Sequence, residues 1–312
     1  MSDLELHTAI GNYGHTKPIK DGTIKSPRLA MEQIEVSPVP TIFRRMVRNL
    51  EFDVSEMALS TYLCARVYDK AFTAIPVFLT RAFYHGGIVC NVKSGIKSPA
   101  DLAGRKVGVR SYTLTPGVWT RGILQSAYGL DLDSVTWVIS GDEHVAEYVA
   151  PSNVVYVQDG DLPRMLISGE IDAAIGTEAI DSPDVRPLFP NAAQADADWF
   201  DQTGVYPISH MLVVKNDLLE SHPWLADELF SLFHRAKQSY VEFLQAGASL
   251  SPADEAVQAM GKIVGGDPLP FGLEDARKTV ETFVGFNVDQ KVIPQSVEPS
   301  ELFAPVSEAA VH

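Results

Sequence analysis

Three histidines, two arginines and one hydroxyl-rich loop carry most of the side chains in this 312-residue chain that could do chemistry. His15 ends the turn-forming run Gly11-Asn12-Tyr13-Gly14, His85 precedes Gly86 and Gly87, and His210 follows Tyr206 and Pro207. Imidazoles at such boundaries can move a proton near neutral pH, or each can be a satisfied structural histidine. Arg81 and Arg45 offer two parallel donors to a planar acid group. Arg45 sits at the edge of an apolar helical stripe, where it can equally be solvated. Ser111, Tyr112, Thr113 and Thr115 lead into Pro116 at the expected start of a helix, where free N–H groups and the helix dipole attract anions. With Thr115 taken as the N-cap, Ser111 and Thr113 remain as ligand candidates. Glu56 and Ser60 lie at a strand end, where a carboxylate can orient a histidine, accept a proton or pair with Arg45. Asn12 belongs to the first loop.

Other candidates carry less. Arg121 reads as structural, and His144, His222, His234 and His312 fall in helical, surface-like or tail contexts. Asp142-Glu143-His144 has a metal-like composition, but adjacent residues point in different directions, so no metal site is expected. There is no Gly-rich phosphate loop, nucleophile elbow or zinc-spaced histidine pair.

These residues must be positioned by alternating strands and helices. Residues 4–10 alternate in and out and end in turn formers; 28–36 is a second alternating stretch. A helix with Ile42, Phe43, Met46, Val47 and Leu50 on one face follows. Strands are expected at 52–57, 72–79, 88–92, 106–110, 135–139, 154–157, 173–176 and 210–214. Helices are expected from Leu59 to about Tyr68, after Thr115, and at 162–168 with Gly169 just past its end. Long helical segments cover 223–245 and 273–286, separated by the Pro- and Gly-rich 265–272. The tail from Ser296 is expected to be only partly ordered. Strands alternating with helices of this length predict parallel sheet covered on both faces, an α/β fold.

Composition narrows the function classes. With 46% hydrophobic and 21% charged residues the chain is an ordinary globular protein, long enough for two compact units. Its 25 Lys+Arg against 40 Asp+Glu give a formal charge of −15, which repels nucleic acid and anionic membranes. No apolar run approaches the roughly 20 residues of a membrane span. Two cysteines, Cys64 and Cys90, make no disulfide framework, and no secretory signal precedes the first strand, so a cytoplasmic location is expected. The oligomeric state, monomer or homo-oligomer, is open at this point.

Six segments, in order along nearly the whole chain, resemble the 4,5-dihydroxyphthalate decarboxylase family: FDVSEMALSTY at 52–62, IPVFLTRAFYH at 75–85, GVWTRGILQ at 117–125, GEIDAAI at 169–175, YPISH at 206–210 and DPLPFG at 267–272. The first loop departs from the pattern: Asn12-Tyr13-Gly14-His15 stands where members closest to the characterised decarboxylase resemble Asp-Tyr-Asp-Arg, a change that bears on the substrate rather than on the fold. The resemblance implies a two-lobed type II periplasmic-binding-protein-like fold with two crossover strands. Residues 1–88 and 208–312 would form one lobe and 89–207 the other, with the ligand in the cleft between them. It further implies a decarboxylase of a small hydroxylated aromatic, phthalate-like carboxylate. That chemistry needs donors for a carboxylate and an acid to protonate the ring carbon. A ring hydroxyl lets the ring accept that proton as a quinoid ketone, so no metal or cofactor is required. On this scheme His15, His85 and His210 converge on the cleft, with His15 or His85 as donor and His210 as a rigid orienting group. Arg81, Arg45 and the 111–115 helix start would hold the acid group. The alternative is a solute-binding protein serving a transporter, because fold does not decide function; a sensor or biosynthetic enzyme acting on a non-aromatic acid is a third reading.

Overall fold

The computed structural model describes residues 4–247, 249–307 and 310. The first strand, β1 (Leu4–Ala9), leads through a loop to a short helix, α1 (Lys17–Lys20), and then β2 (Leu29–Gln33), α2 (Pro40–Asn49), β3 (Val54–Ala58), α3 (Leu59–Val67) and β4 (Phe72–Arg81). The chain then crosses to a second sheet with β5 (Ile88–Asn91), β6 (Lys106–Val109), α4 (Thr115–Tyr128), β7 (Thr136–Ile139), β8 (Val154–Tyr156), α5 (Leu162–Ser168), β9 (Ala173–Ile175) and β10 (Val185–Pro187). It returns through α6 (Ala192–Thr203) to β11 (Ile208–Lys215), followed by α7 (Asn216–Ser221), α8 (Leu225–Ala246), α9 (Pro252–Val264), α10 (Leu273–Asp289) and α11 (Pro299–Leu302).

The first sheet has the order β2-β1-β3-β11-β4 and the second β10-β5-β9-β6-β7-β8. In the first, β1 is parallel to β2 and β3, and β11 runs antiparallel between β3 and β4. The carboxyl ends of β1, β3 and β4 and the amino end of β11 therefore share one edge, the edge where open α/β sheets bind ligands. Every residue of β3 is buried and β4 is nearly so, as expected for strands covered on both faces. The stripe Ile42, Phe43, Met46 and Val47 seats α2 against the core. The two sheets share packing through α4 and α10: Trp119 stacks on Phe283 at 4.5 Å, and a Cβ at Gly122 would overlap the Phe286 ring.

Most expected elements are present, with α5 and its left-handed Gly169 as read from the sequence. The two longest helices that fall where no element was assigned are α6 and α9. Neither is deeply packed: α6 buries only Asp196 and Trp199, and α9 buries none of its residues. In the tail, α11 forms and Phe303 bridges Ala74; part of this stretch lies outside the described residues. Among the described residues no helix is long and apolar enough to cross a membrane.

Candidate active site

The loop after β1 is shaped by its small residues. Thr16, fully buried, accepts from the Tyr13 N–H (2.9 Å) and donates to the Gly11 carbonyl (2.8 Å), closing residues 11–16 into a tight turn. A Cβ at Gly14 would overlap the Tyr240 ring, so only glycine lets the loop lie against α8. That approach brings His15 between Tyr13, stacked at 5.5 Å, and Tyr240, at 6.0 Å. Gly14→Ala is therefore expected to destabilise the fold by about 1–3 kcal/mol, the usual cost of overpacking. Gly87→Ala, where the added methyl meets open space, should change little; denaturant titration of the two variants would show equal effects if the close approach were unimportant.

Glu56 is the hub beneath this loop. Its side chain is fully buried, on a strand whose register sets it beside β11. One carboxylate oxygen accepts from the Gly11 N–H (2.7 Å); the other accepts from the Tyr13 hydroxyl (2.6 Å) and pairs with His210 Nδ1 (2.6 Å). Burial alone would raise the Glu56 pKa, but the His210 contact, then Tyr13 and Gly11, outweigh it and hold the carboxyl below its ordinary value. The same geometry pushes the Tyr13 phenol far up, through burial first and the Glu56 charge second. His210 thus has its Nδ1 fixed on a carboxylate and its ring edge-on to Phe43 at 4.9 Å. Its side chain keeps 22% exposure.

A cavity of about 810 Å³ opens over the sheet edge, lined by Asn12, Tyr13, His15, Thr80, Arg81 and Tyr240 among others, with Ser251 and the first turns of α9 as its roof. Three of its lining residues carry buried polar atoms without a hydrogen-bond partner: His15 Nε2, Thr80 Oγ1 and Arg81 Nε. Such atoms are costly unless something completes them. The Leu79 carbonyl engages the His15 ring, and burial lowers its pKa to about 4, so the imidazole is neutral at pH 7. Arg81 donates from Nη1 to the Tyr206 carbonyl (2.7 Å) and from Nη2 to the Pro270 carbonyl (3.0 Å). Burial draws its pKa down to about 10, which still leaves it charged at pH 7. Among the described residues it has no ion-pair partner. Thr80 is the cross-strand partner of His210, placing the Glu56–His210 pair one strand from the cavity wall. A groove of comparable volume, about 880 Å³, runs along β8 on the far edge of the second sheet, but none of its lining residues has an orphaned polar atom.

The other expected site residues are engaged elsewhere. Arg45 turns away to Glu51 (Nε–Oε2 2.8 Å) and lies over Phe52, since the helix edge that carries it faces outward. Ser60 donates from Oγ to Asn287 (2.9 Å) and from its N–H to Thr115 Oγ1 (3.0 Å). Thr115 is consequently not an N-cap: α4 begins at Thr115 itself, after Leu114. The loop before α4 binds an anion, but that anion is Glu143, which accepts from the Tyr112 N–H (2.6 Å), the Thr113 N–H (3.1 Å) and the Thr113 hydroxyl (2.5 Å). Ser111 is buried beside it. His85 does not join His15 and His210: Nδ1 pairs with Asp196 at 2.6 Å, and Phe189, Tyr128 and Trp199 surround the ring. Asn12 reaches Glu35 at 3.4 Å. Arg121 is structural as read, bonding Gln290 and the Tyr112 carbonyl. Among the described residues no cluster of three or more His, Cys, Asp or Glu side chains is arranged to hold a metal ion.

Sequence reasoning missed Tyr13, Thr80 and His144. The signals that could have found the first two are the glycines flanking Tyr13 in its loop and the position of Thr80 beside Arg81. His144 is buried, with Nδ1 at 3.1 Å from the Thr61 hydroxyl and Nε2 accepting from Arg110 at 3.2 Å. Burial first, then Arg110 and Arg44, lower its pKa to about 3. His15 and His144 thus bind protons more weakly folded than unfolded, where a histidine titrates near 6.5. The unfolded state holds more protons between about pH 6.5 and 4, so stability is full above that window and falls as pH drops through it. Glu56, with its depressed pKa, acts in the same sense at lower pH. Unfolding free energy should fall by about 2–3 kcal/mol per histidine between pH 7 and 4, and His144→Asn should flatten the slope. A pH-independent stability would contradict burial of these two imidazoles in the neutral form.

The chain is 30% identical over an alignment of 329 positions, covering 98% of both chains, to the 4,5-dihydroxyphthalate decarboxylase of Comamonas testosteroni. The chain belongs to the 4,5-dihydroxyphthalate decarboxylase family. A second relative of that name, from Pseudomonas putida, is 34% identical over 218 residues, 64% of this chain and 83% of its own. No family model matches. Among solved structures, the alkanesulfonate-binding protein SsuA of Xanthomonas axonopodis pv. citri superposes with a TM-score of 0.57 over 97% of this chain and 99% of its own, at 11% identity. That likeness establishes the two-lobed type II periplasmic-binding-protein-like fold for this member of the decarboxylase family and bears on the fold alone.

Proposed function

We propose that this protein is a carboxy-lyase that removes carbon dioxide from a hydroxylated, phthalate-like aromatic acid bound in the His15–Thr80–Arg81 cavity. Family membership supports the reaction class. The single observation that carries the site is that one cavity is lined by His15, Thr80 and Arg81, three residues that each carry a buried polar atom without a hydrogen-bond partner: an imidazole nitrogen, a hydroxyl and a charged donor. Arg81 would hold the carboxylate that stays on the ring. His15, uncharged, would accept the proton of a ring hydroxyl para to the departing carboxylate through Nε2, raising electron density at the carbon to be protonated. His210, oriented by Glu56, would deliver its Nε2 proton to that carbon. The C–C bond electrons then return to the ring as carbon dioxide leaves, His15 gives the proton back to the phenolate oxygen, and His210 is reprotonated by water.

Two histidines with different surroundings thus divide the acid and base roles between them. This assignment reverses the order of roles expected from sequence, in which His210 only orients. It leaves no role in proton transfer for His85, which is closed in by aromatic rings. The test is calorimetry with phthalate, which carries the carboxylates but no hydroxyl. Arg81→Ala should weaken binding by about 1–3 kcal/mol, the range for a hydrogen bond to a charged group. Unchanged affinity in a folded Arg81→Ala variant would remove Arg81 from the site.

A further inference from the structure

We propose that Tyr206 is a positioning residue for Arg81, setting how tightly the protein grips an aromatic carboxylate; the inference rests on the cavity assignment above. Two of the segments that resemble the decarboxylase family, 206–210 and 267–272, have no part in the proton chemistry except through His210, yet both close on one guanidinium. Tyr206 and Pro270 supply the two carbonyls that accept from Arg81 Nη1 and Nη2. The guanidinium carbon lies 5.1 Å from the ring centroids of both Tyr206 and Phe78. Carbonyls and rings fix the plane of a guanidinium without neutralising it, so the charge stays available to a ligand. An acidic side chain in their place would fix the plane equally well and cancel the charge.

The Tyr206 hydroxyl ties the two halves of this clamp together. It donates to the Pro268 carbonyl at 3.0 Å, two residues before the carbonyl that holds Nη2. The rest of the 267–272 loop is anchored at its ends, by Lys237 Nζ to the Asp267 carboxylate (2.5 Å) and Gly272 N–H to the Pro76 carbonyl (2.9 Å). Tyr206 itself is buried, with its N–H within 3.3 Å of the Thr279 hydroxyl on α10 and its ring stacked on Phe83. One hydroxyl therefore connects the ring above Arg81 to the loop that holds its far nitrogen.

Tyr206→Phe keeps the ring and the backbone carbonyl and removes only this tie. Phthalate affinity by calorimetry should weaken roughly 3–10-fold in the otherwise wild-type protein, and by less than about 1.5-fold in an Arg81→Lys background, because neighbours acting through one group are not additive. With 4,5-dihydroxyphthalate as substrate, KM should rise in parallel while kcat stays within about twofold, the pattern of lost binding common to ground and transition states. Equal weakening in both backgrounds, or a fall in kcat with KM unchanged, would overturn the positioning role while leaving the cavity assignment intact. Full phthalate affinity in Arg81→Lys and Arg81→Ala alike would instead overturn the cavity assignment.

Discussion

His210→Asn is expected to lower the turnover of a hydroxylated phthalate by about 10²–10⁴-fold, the usual contribution of a general acid. Phthalate binding should stay within about threefold of wild type, since His210 is not among the residues that line the cavity. Asparagine can still donate to Glu56 but cannot carry a proton to carbon. Steady-state kinetics and calorimetry on the same preparations separate the two effects. A His210→Asn enzyme with near wild-type turnover would move the acid role elsewhere, with the Tyr13 hydroxyl, which shares the same Glu56 oxygen, as the next group to examine.

Glu56→Gln should damage both chemistry and fold. The carboxylate answers three donors at once, from Gly11, Tyr13 and His210, with no exposure to water. An amide keeps the shape but has one accepting oxygen in place of two, so at least one buried donor loses its partner at a cost of about 1–3 kcal/mol. His210 also loses the charge that orients it. Turnover should fall about as far as in His210→Asn, and the double variant should be little worse than either single one, because the two residues act as a unit. Denaturant titration should show the stability loss for Glu56→Gln and only a smaller one for His210→Asn. Independent, multiplying losses of turnover would show that Glu56 does not act through His210.

Local pattern made much of the fold legible. Leu162–Ser168 with its terminal glycine, the buried run of β4 and the turn formers after β1 all follow from short-range chemistry. Arg81, Asn12 and His15 were legible as site candidates because each stands at a strand's carboxyl end. What could not be read depends on residues far apart in the chain. Glu56 and His210 meet across 154 positions through the register of β3 on β11, which no local spacing encodes. The helix start at Thr115 looked open to ligand, yet Glu143 fills it from a loop 30 residues away. His144 looked like a surface residue until Phe43, Thr61 and Arg110 closed around it. The α9 roof has a capping box and an apolar stripe through Ala253, Ala256, Val257, Met260 and Val264, yet none of its residues is fully buried.

The most direct test of the central claim is to incubate the purified protein with 4,5-dihydroxyphthalate in heavy water and follow the ring protons by NMR. Loss of one carboxylate should yield 3,4-dihydroxybenzoate and one equivalent of carbon dioxide, with a single deuterium at the vacated ring position and a rate that collapses in His210→Asn. Unchanged 4,5-dihydroxyphthalate, bound tightly but never losing carbon dioxide, would contradict the account.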